Sequence, residues 1–494
     1  MFLEHFMEIS RIPRGSGNRK PVSDFMMEFA EKNGLDAQRD RAGNVMICRK
    51  SSQNDGWVIL QGHLDMVCEQ KAGVNHDFQK DGIRVLKEDG YIRADGTTLG
   101  ADDGIGVSYM MSLLTDDWEE AHLPSLACLF TVDEEIGLLG AAELQLPNPG
   151  ASYLINLDNE AEHHICMSCA GGVTLQLDGK TSAIGAGREV YPLKIKVSNC
   201  LGGHSGTEII QERANAVKIL ARLLNGLKHH LQTPDGNAGA IRLVSFEGGN
   251  KDNAIPNFAR AEILLDSKTL LEQSLAYLEN YRGEILHEYE QIDDGMEIQF
   301  HGSERFSRDT IKCFPPSLSN DMIFLLNQIP DGVDSMEHKS PVLLVSSSSN
   351  LGIARLDADN GEIHLSVSVR SNVNSKKQYL CERICDLACQ FGLSVSREGD
   401  YPGWEMKTES RLRELADSCH QKLYGRKPVW EALHAGLECG ILADRFPGLD
   451  MISIGPNLVG VHTANERMEI ASAESTFDYL KHLLYMIADD SHEK

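Results

Sequence analysis

Short apolar runs alternating with amphipathic helical stretches occupy both ends of this chain and give way in the middle to a different texture. Val58 to Leu60, Leu126 to Val132 and Tyr153 to Leu157 are bounded by turn residues and have the length of buried strands. Gly104 to Leu114 has the spacing of a helix launched from a turn at Asp102 and Asp103. Parallel strands need long, usually helical, crossover connections, so the alternation predicts an α/β fold around a mostly parallel sheet. The pattern returns late, with a helix over about 410 to 424, a strand at Met451 to Ile454 and a helix over about 472 to 487. Residues 186 to 402 read as a helix (207–229), strands at Ala240–Phe246 and Ala259–Leu265, a helix (268–289) and a strand at Met296–Phe300. A similar order follows roughly 100 residues later: a helix near 319–328, strands at Val342–Val345 and Glu362–Val369, a helix through Cys381, Cys385 and Cys389, and a strand at Leu393–Ser396. The expected architecture is a mostly parallel-sheet domain, residues 1–185 and 403–494, split in sequence by an inserted α+β domain, residues 186–402, with a weak internal duplication.

At 494 residues each of two such domains can bury its own core. Hydrophobic content of 41% and charged content of 24% are those of a soluble globular chain. A formal charge of −26 and only 6% aromatic residues argue against a nucleic-acid partner, which wants basic surface and stacking platforms. The N-terminal segment spaces its apolar residues for an amphipathic helix and interrupts them with Glu4 and Glu8, so it lacks a secretory core. No run reaches the roughly 18 apolar residues of a membrane span. The expected location is the cytoplasm, with no membrane partner. Twelve cysteines scattered through so long a chain read as reduced thiols rather than a disulfide framework. The Cys381–Cys389 stripe reads as helix packing, and Cys166 and Cys169 lack the second pair of a zinc site.

Functional groups of open α/β sheets gather at the carboxyl ends of strands. His63 with Asp65, Glu134 with Glu135, Asp158 and His462 fall at such ends, and Asp102 joins them from the turn that opens a helix. Two imidazoles and three carboxylates suit a pair of divalent ions, Zn²⁺ or else Mn²⁺ or Co²⁺. In the Glu134–Glu135 pair one carboxylate can bind metal while its neighbour moves a proton, the division of labour of a hydrolytic metal site. His163 and His164 look like a further metal cluster, but consecutive residues of an extended chain face opposite ways. His229 and His230 read as the end of a helix, where imidazolium suits the dipole.

Gly62-His63-Leu64-Asp65, Gly100-Ala101-Asp102-Asp103-Gly104, Asp133-Glu134-Glu135-Ile136-Gly137, Asn156-Leu157-Asp158 and Gly460-Val461-His462-Thr463 resemble, in order, the metal motifs of the co-catalytic dizinc aminoacylase/carboxypeptidase superfamily. Cys169-Ala170-Gly171-Gly172, Gly202-Gly203-His204-Ser205-Gly206 and the segment His434 to Gly440 are similar to the aminoacyl-histidine dipeptidases within it, also called Xaa-His or β-alanyl-histidine dipeptidases. The resemblance spans nearly the whole chain. Each motif alone is common; five in order are specific.

The resemblance implies that His63 and Asp158 bind one metal, Glu135 and His462 the other, and that Asp102 bridges both, with a cis peptide at Asp102–Asp103. Asp65 would hold the other nitrogen of His63. Glu134 would act as general base, taking a proton from metal-bound water as it attacks the scissile carbonyl and returning it to the leaving amine. The insert would be a lid, hinged near 185–190 and 400–405, that supplies His204 to the developing oxyanion and Asn253 and Arg370 to the substrate carboxylate, while Gly436 lends close backbone approach. The implied activity is hydrolysis of unblocked dipeptides, Xaa-His and carnosine-like ones among them, by a monomer or homodimer. An N-acyl amino acid deacylase or aminoacylase is the alternative, and a non-catalytic metal- or peptide-binding relative a further one. A dipeptidase must also meet a free ammonium, for which Glu438 is a candidate.

Overall fold

The computed structural model describes residues 2–52, 56–116, 123–186, 189–231, 241–303, 311–338 and 343–492. The expected strand starts at Ala240 and Val342 lie outside the described residues. The chain forms two compact units. One runs to Cys169 and resumes at Gly403; the other comprises Ala170–His338 and Leu343–Pro402.

The first unit is built on an eight-stranded sheet. Its spatial order is Asp36–Arg39, Val45–Arg49, Ser125–Thr131, Trp57–His63, Tyr153–Asn156, Asp450–Ser453, His164–Cys169 and Val429–Leu433. The four central strands, Ser125–Thr131 through Asp450–Ser453, are mutually parallel. Successive residues of these strands go to opposite cores, as strand geometry requires. Val58, Leu60, Leu126, Cys128 and Phe130 join one apolar cluster with Phe6, Met26, Tyr109 and Leu480. Ile59, Ala127, Leu129 and Leu154 join another with Leu442 and Phe446. Both faces are covered, which explains why these strands read as continuous apolar runs. Asp450–Ser453 and its parallel neighbour Tyr153–Asn156 belong to the late and early parts of the chain, so the sheet itself joins the two halves of the split domain.

The second unit carries an antiparallel sheet in the order Glu297–Gly302, Tyr191–Ser198, Ala259–Leu265, Arg242–Gly248, Leu344–Asp357, Glu362–Ser371, Gly171–Lys180 and Ser394–Tyr401, with Gly332–Glu337 hairpinned onto Leu344–Asp357. One face packs under the helices Ala216–His230, Lys268–Tyr289, Pro316–Gln328 and Asn374–Gln390. The duplication is explicit in this order. Tyr191–Ser198 lies between Glu297–Gly302 and Ala259–Leu265, as Gly171–Lys180 lies between Ser394–Tyr401 and Glu362–Ser371, and the halves meet where Arg242–Gly248 pairs with Leu344–Asp357.

The chain enters this unit at Ala170 rather than at 186. Gly171–Lys180 is the first strand of the second repeat, and the entire first repeat is inserted behind it. All twelve cysteines are free. Of the three cysteines in the Asn374–Gln390 helix, Cys381 is buried, Cys385 is partly buried against the same core and Cys389 is exposed, so the stripe packs over its first two members.

Candidate metal centre

His63 ends the Trp57–His63 strand and is buried. Its Nδ1 lies 3.2 Å from the backbone carbonyl of Asp65, whereas the Asp65 carboxylate is 3.6 Å away. A proton on Nδ1 leaves the Nε2 lone pair free for a ligand. Asp65 thus meets this nitrogen with its carbonyl at hydrogen-bond distance and with its carboxylate slightly farther off. That carboxylate also accepts hydrogen bonds from Ser16 Oγ at 2.8 Å and from the backbone N–H groups of Glu134 at 3.0 Å and Glu135 at 3.4 Å, holding the two glutamates in place.

Around His63 Nε2 stand Asp102 Oδ1 at 3.1 Å and Asp158 Oδ1 at 3.5 Å. Around His462 Nε2 stand the other oxygen of Asp102, Oδ2, at 3.0 Å and Glu135 Oε2 at 3.0 Å. Asp102 therefore turns one oxygen to each imidazole. Ligand atoms of Glu134 and Glu135 also lie within 4.8 Å of one another and of His63. The Asp102–Asp103 peptide is cis. Gly62 makes room beside it, since a Cβ there would stand 2.0 Å from Asp103 Oδ2.

Two atoms bound to one tetrahedral zinc ion at about 2.0–2.2 Å lie roughly 3.3 Å apart, so side chains now 3.0–3.5 Å from one another need only small shifts to share an ion. The electrostatics agree. Burial pushes the Asp158 and Glu134 carboxyls well above their ordinary range. Although burial works against its charge, His63 is raised by Asp158 and Asp102, and His462 is pushed up to about 11 by its hydrogen bonds to Asp102 and Glu135. Excess carboxylate thus draws positive charge to the two imidazole nitrogens. Two divalent cations satisfy that demand without protonating the ligands, and the residues fit them.

In the second unit His204 lies on a two-residue strand, Gly203–His204, paired with Ala254–Ile255, and Ser205 N–H donates to the carbonyl of Asn253 at 2.9 Å. His204 Nδ1 accepts the N–H of Thr207 at 3.1 Å, which puts the proton of the neutral ring on Nε2, a donor. Burial, with the charge of Arg370, holds its pKa below the ordinary imidazole value. Arg370 is buried, and its Nη1 donates to Tyr401 Oη at 3.2 Å. The first unit thus brings together His63, Asp65, Asp102, Glu134, Glu135, Asp158 and His462, and the second holds His204, Asn253 and Arg370. Gly436 belongs to the first unit, in the turn before the Glu438–Arg445 helix.

Residues 59–486 match the family described as peptidase family M20/M25/M40. The chain belongs to this family. It is 34% identical over 490 residues to the cytosol non-specific dipeptidase of Escherichia coli (strain K12), covering 97% of this chain and 96% of that protein. The crystal structure of aminoacylhistidine dipeptidase from Vibrio alginolyticus superimposes with a TM-score of 0.88 at 29% identity, covering 98% of this chain and 96% of that one. Aminopeptidase PepT from Bacillus cereus shares the fold at 15% identity, with a TM-score of 0.55 over 99% of this chain and 98% of its own.

Several supports of the site in this M20 peptidase carry no motif of their own. Glu466 is buried and takes four backbone N–H groups on its carboxylate: Leu99 at 2.7 Å, Gly100 at 2.9 Å, Ala101 at 2.7 Å and Asp102 at 3.4 Å. It thereby ties the His462 loop to the Asp102 turn. Fully buried Arg14 donates to the carbonyls of Leu64, Asp65 and Gly100. Asp133, at φ 52°, accepts Gly17 N–H at 2.7 Å and pairs with Arg19. Glu438 is wholly buried against Gln61 and Thr131, so it is not available to a substrate ammonium. His163 contacts His420 and His164 contacts Glu431, and neither belongs to a metal-sized cluster among the described residues.

Proposed function

We propose that this M20 peptidase is a dinuclear metal-dependent dipeptidase acting on unblocked dipeptides, Xaa-His and carnosine-like substrates among them. The observation that carries the reading is Asp102, whose two oxygens face two different imidazoles, each flanked by a further carboxylate. On this reading His63 and Asp158 hold one ion, Glu135 and His462 the other, and Asp102 both. Two ions, zinc by preference with manganese or cobalt as substitutes, supply Lewis acidity and lower the pKa of water. Glu134, whose burial raises its affinity for a proton, takes one as the carboxylate from the attacking water and passes it to the leaving amine. His204 offers its Nε2–H to the developing oxyanion, and Asn253 and Arg370 receive the substrate carboxylate. Gly436 lets the substrate backbone approach.

The names of the Escherichia coli and Vibrio relatives support dipeptides over N-acyl amino acids. The first also supports a cytosolic location, and no helix among the described residues is long and apolar enough to cross a membrane. Because the metal ligands and the carboxylate receptors belong to different units, turnover requires the two to act on one substrate, with residues 170–402 as the lid. Turnover of β-Ala-His, Gly-His and N-acetyl-His on one purified sample tests the reading. Cleavage of the first two alone is expected; preference for N-acetyl-His would establish the deacylase instead.

A further inference from the structure

Beneath the ligands of the first unit runs a chain of buried side-chain amides. The backbone N–H of Asp158 donates to Asn156 Oδ1 at 3.3 Å, Asn156 Nδ2 donates to Gln61 Oε1 at 2.8 Å, and Gln61 Nε2 donates to Glu438 Oε2 at 2.6 Å. Thr131 Oγ1 donates to the same Oε2 at 2.7 Å. Gln61, Thr131, Asn156 and Glu438 all lie at 0% exposure, so no water competes for these bonds. The other oxygen of Glu438, Oε1, is buried with no hydrogen-bond partner among the described residues. Among these residues the hydrogen bonds of the Glu438 carboxylate are those from Gln61 and Thr131.

An amide side chain turned end for end keeps its shape while donor and acceptor change places, so a chain of two amides has two directions. The ends choose between them. Asp158 N–H can only donate, and Glu438 Oε2, already receiving two donors, can only accept. Gln61 must then present its NH₂ to Glu438 and its oxygen to Asn156, and Asn156 must present its oxygen to Asp158. Gln61 Nε2 also lies 3.2 Å from Thr131 Oγ1, a hydroxyl that can donate or accept; without the carboxylate at position 438 only this hydroxyl and the Asp158 N–H hold the direction, and the reversed chain sets an NH₂ against the Asp158 N–H. Gln61 also lies two residues from His63 on the same strand and therefore on the same face.

We propose that Glu438 is a positioning residue for one of the two metals: it sets the direction of this amide chain, and the chain fixes Asp158, which on the proposed assignment binds only the ion shared with His63. The inference rests on that ligand assignment. It differs from the clamp of Glu466, which ties the bridging Asp102 turn to the His462 loop and so serves both ions.

Zinc titration of the metal-stripped protein by calorimetry tests this without any turnover. Glu438→Met removes the acceptor at similar volume and is expected to weaken one of the two binding steps by about 10-fold to 100-fold, the usual cost of losing an outer partner of a ligand, while leaving the other step unchanged. Gln61→Met, which breaks the chain in the middle, is expected to give the same selective loss and carries the test if Glu438→Met does not fold. Glu438→Gln keeps an oxygen for Gln61 and Thr131 and is expected to restore most of the affinity. Two wild-type binding steps in Glu438→Met or Gln61→Met, or equal weakening of both, would overturn the proposal. Asp158→Ala separates it from the reading beneath: that variant should lose the same step outright, and undiminished binding of both ions in it would overturn the ligand assignment itself.

Discussion

Glu134 and Glu135 are adjacent in the chain and both come near His63, but only Glu135 also reaches His462, and the proposed division of roles rests on that difference. Both are close enough to an imidazole to be ligands, so distance alone does not separate base from ligand. Glu134→Ala is expected to keep two ions by elemental analysis while kcat falls by about 10²-fold to 10⁴-fold, the usual worth of a general base. Loss of an ion with the carboxylate would make Glu134 a ligand. His204 gives a second test. Its Nδ1 is occupied by the Thr207 N–H, and its pKa is lowered by burial and Arg370, so the neutral donor form is favoured. The unfolded chain protonates first as pH falls, and the folded state therefore loses stability on acidification through the ordinary imidazole range near 6.5. An NMR titration should find His204 below that value; titration at or above it would contradict the hydrogen-bond assignment. At this scale the side chains that the structure gathers into the candidate metal cluster were legible because they lie at strand ends in a fixed order. Asp65 stands at the other nitrogen of His63 through its backbone carbonyl as well as its carboxylate, and the carbonyl contact has no signal in the residue type because every residue has one.

Elements explain why residues so distant in sequence meet. Asp102 opens the Ala101–Thr115 helix and His462 lies 360 residues further on, yet Glu466 binds the one loop to the other through four backbone N–H groups. Glu466→Gln keeps the size but turns an NH₂ toward donors that need an acceptor. A net loss of about 3 kcal/mol is expected, since hydrogen bonds to a buried charge contribute ~1.5–3 kcal/mol each. Thermal unfolding of the metal-stripped protein should show a lower midpoint, and the intact protein weaker binding of both ions; no change in either would mean that the clamp is idle. Nothing in the sequence announces Glu466 or Arg14, because their partners are peptide groups and leave no pattern in residue types. The central strands of the split sheet were legible for the opposite reason, as they are buried on both faces and form nearly unbroken apolar runs. The boundary near 170 was not: Val173, Leu175 and Leu177 alternate with Thr174 and Gln176, a pattern that marks a strand without saying which sheet it joins, and pairing with Glu362–Ser371 and Ser394–Tyr401 assigns them to the second unit.

At the scale of the whole molecule, one unit holds the proposed metals and the other the proposed receptors of the substrate carboxylate. The order of the second unit's sheet supplies both repeats from a single chain, and the duplication was visible in the sequence as repeated element order, although not that one repeat interrupts the other. Arg370→Lys keeps the charge and loses the planar fork, so kcat/KM for a free dipeptide should fall while the amidated dipeptide, already poor, changes little and two ions remain bound. Equal losses on both substrates would assign Arg370 to the fold. The central claim, that one carboxylate joins two ions, is tested most directly by the zinc stoichiometry of Asp102→Ala beside that of the unaltered protein. The account predicts two ions per chain for the unaltered protein and loss of tight binding at both positions in the variant; two ions held with undiminished affinity by Asp102→Ala would contradict it.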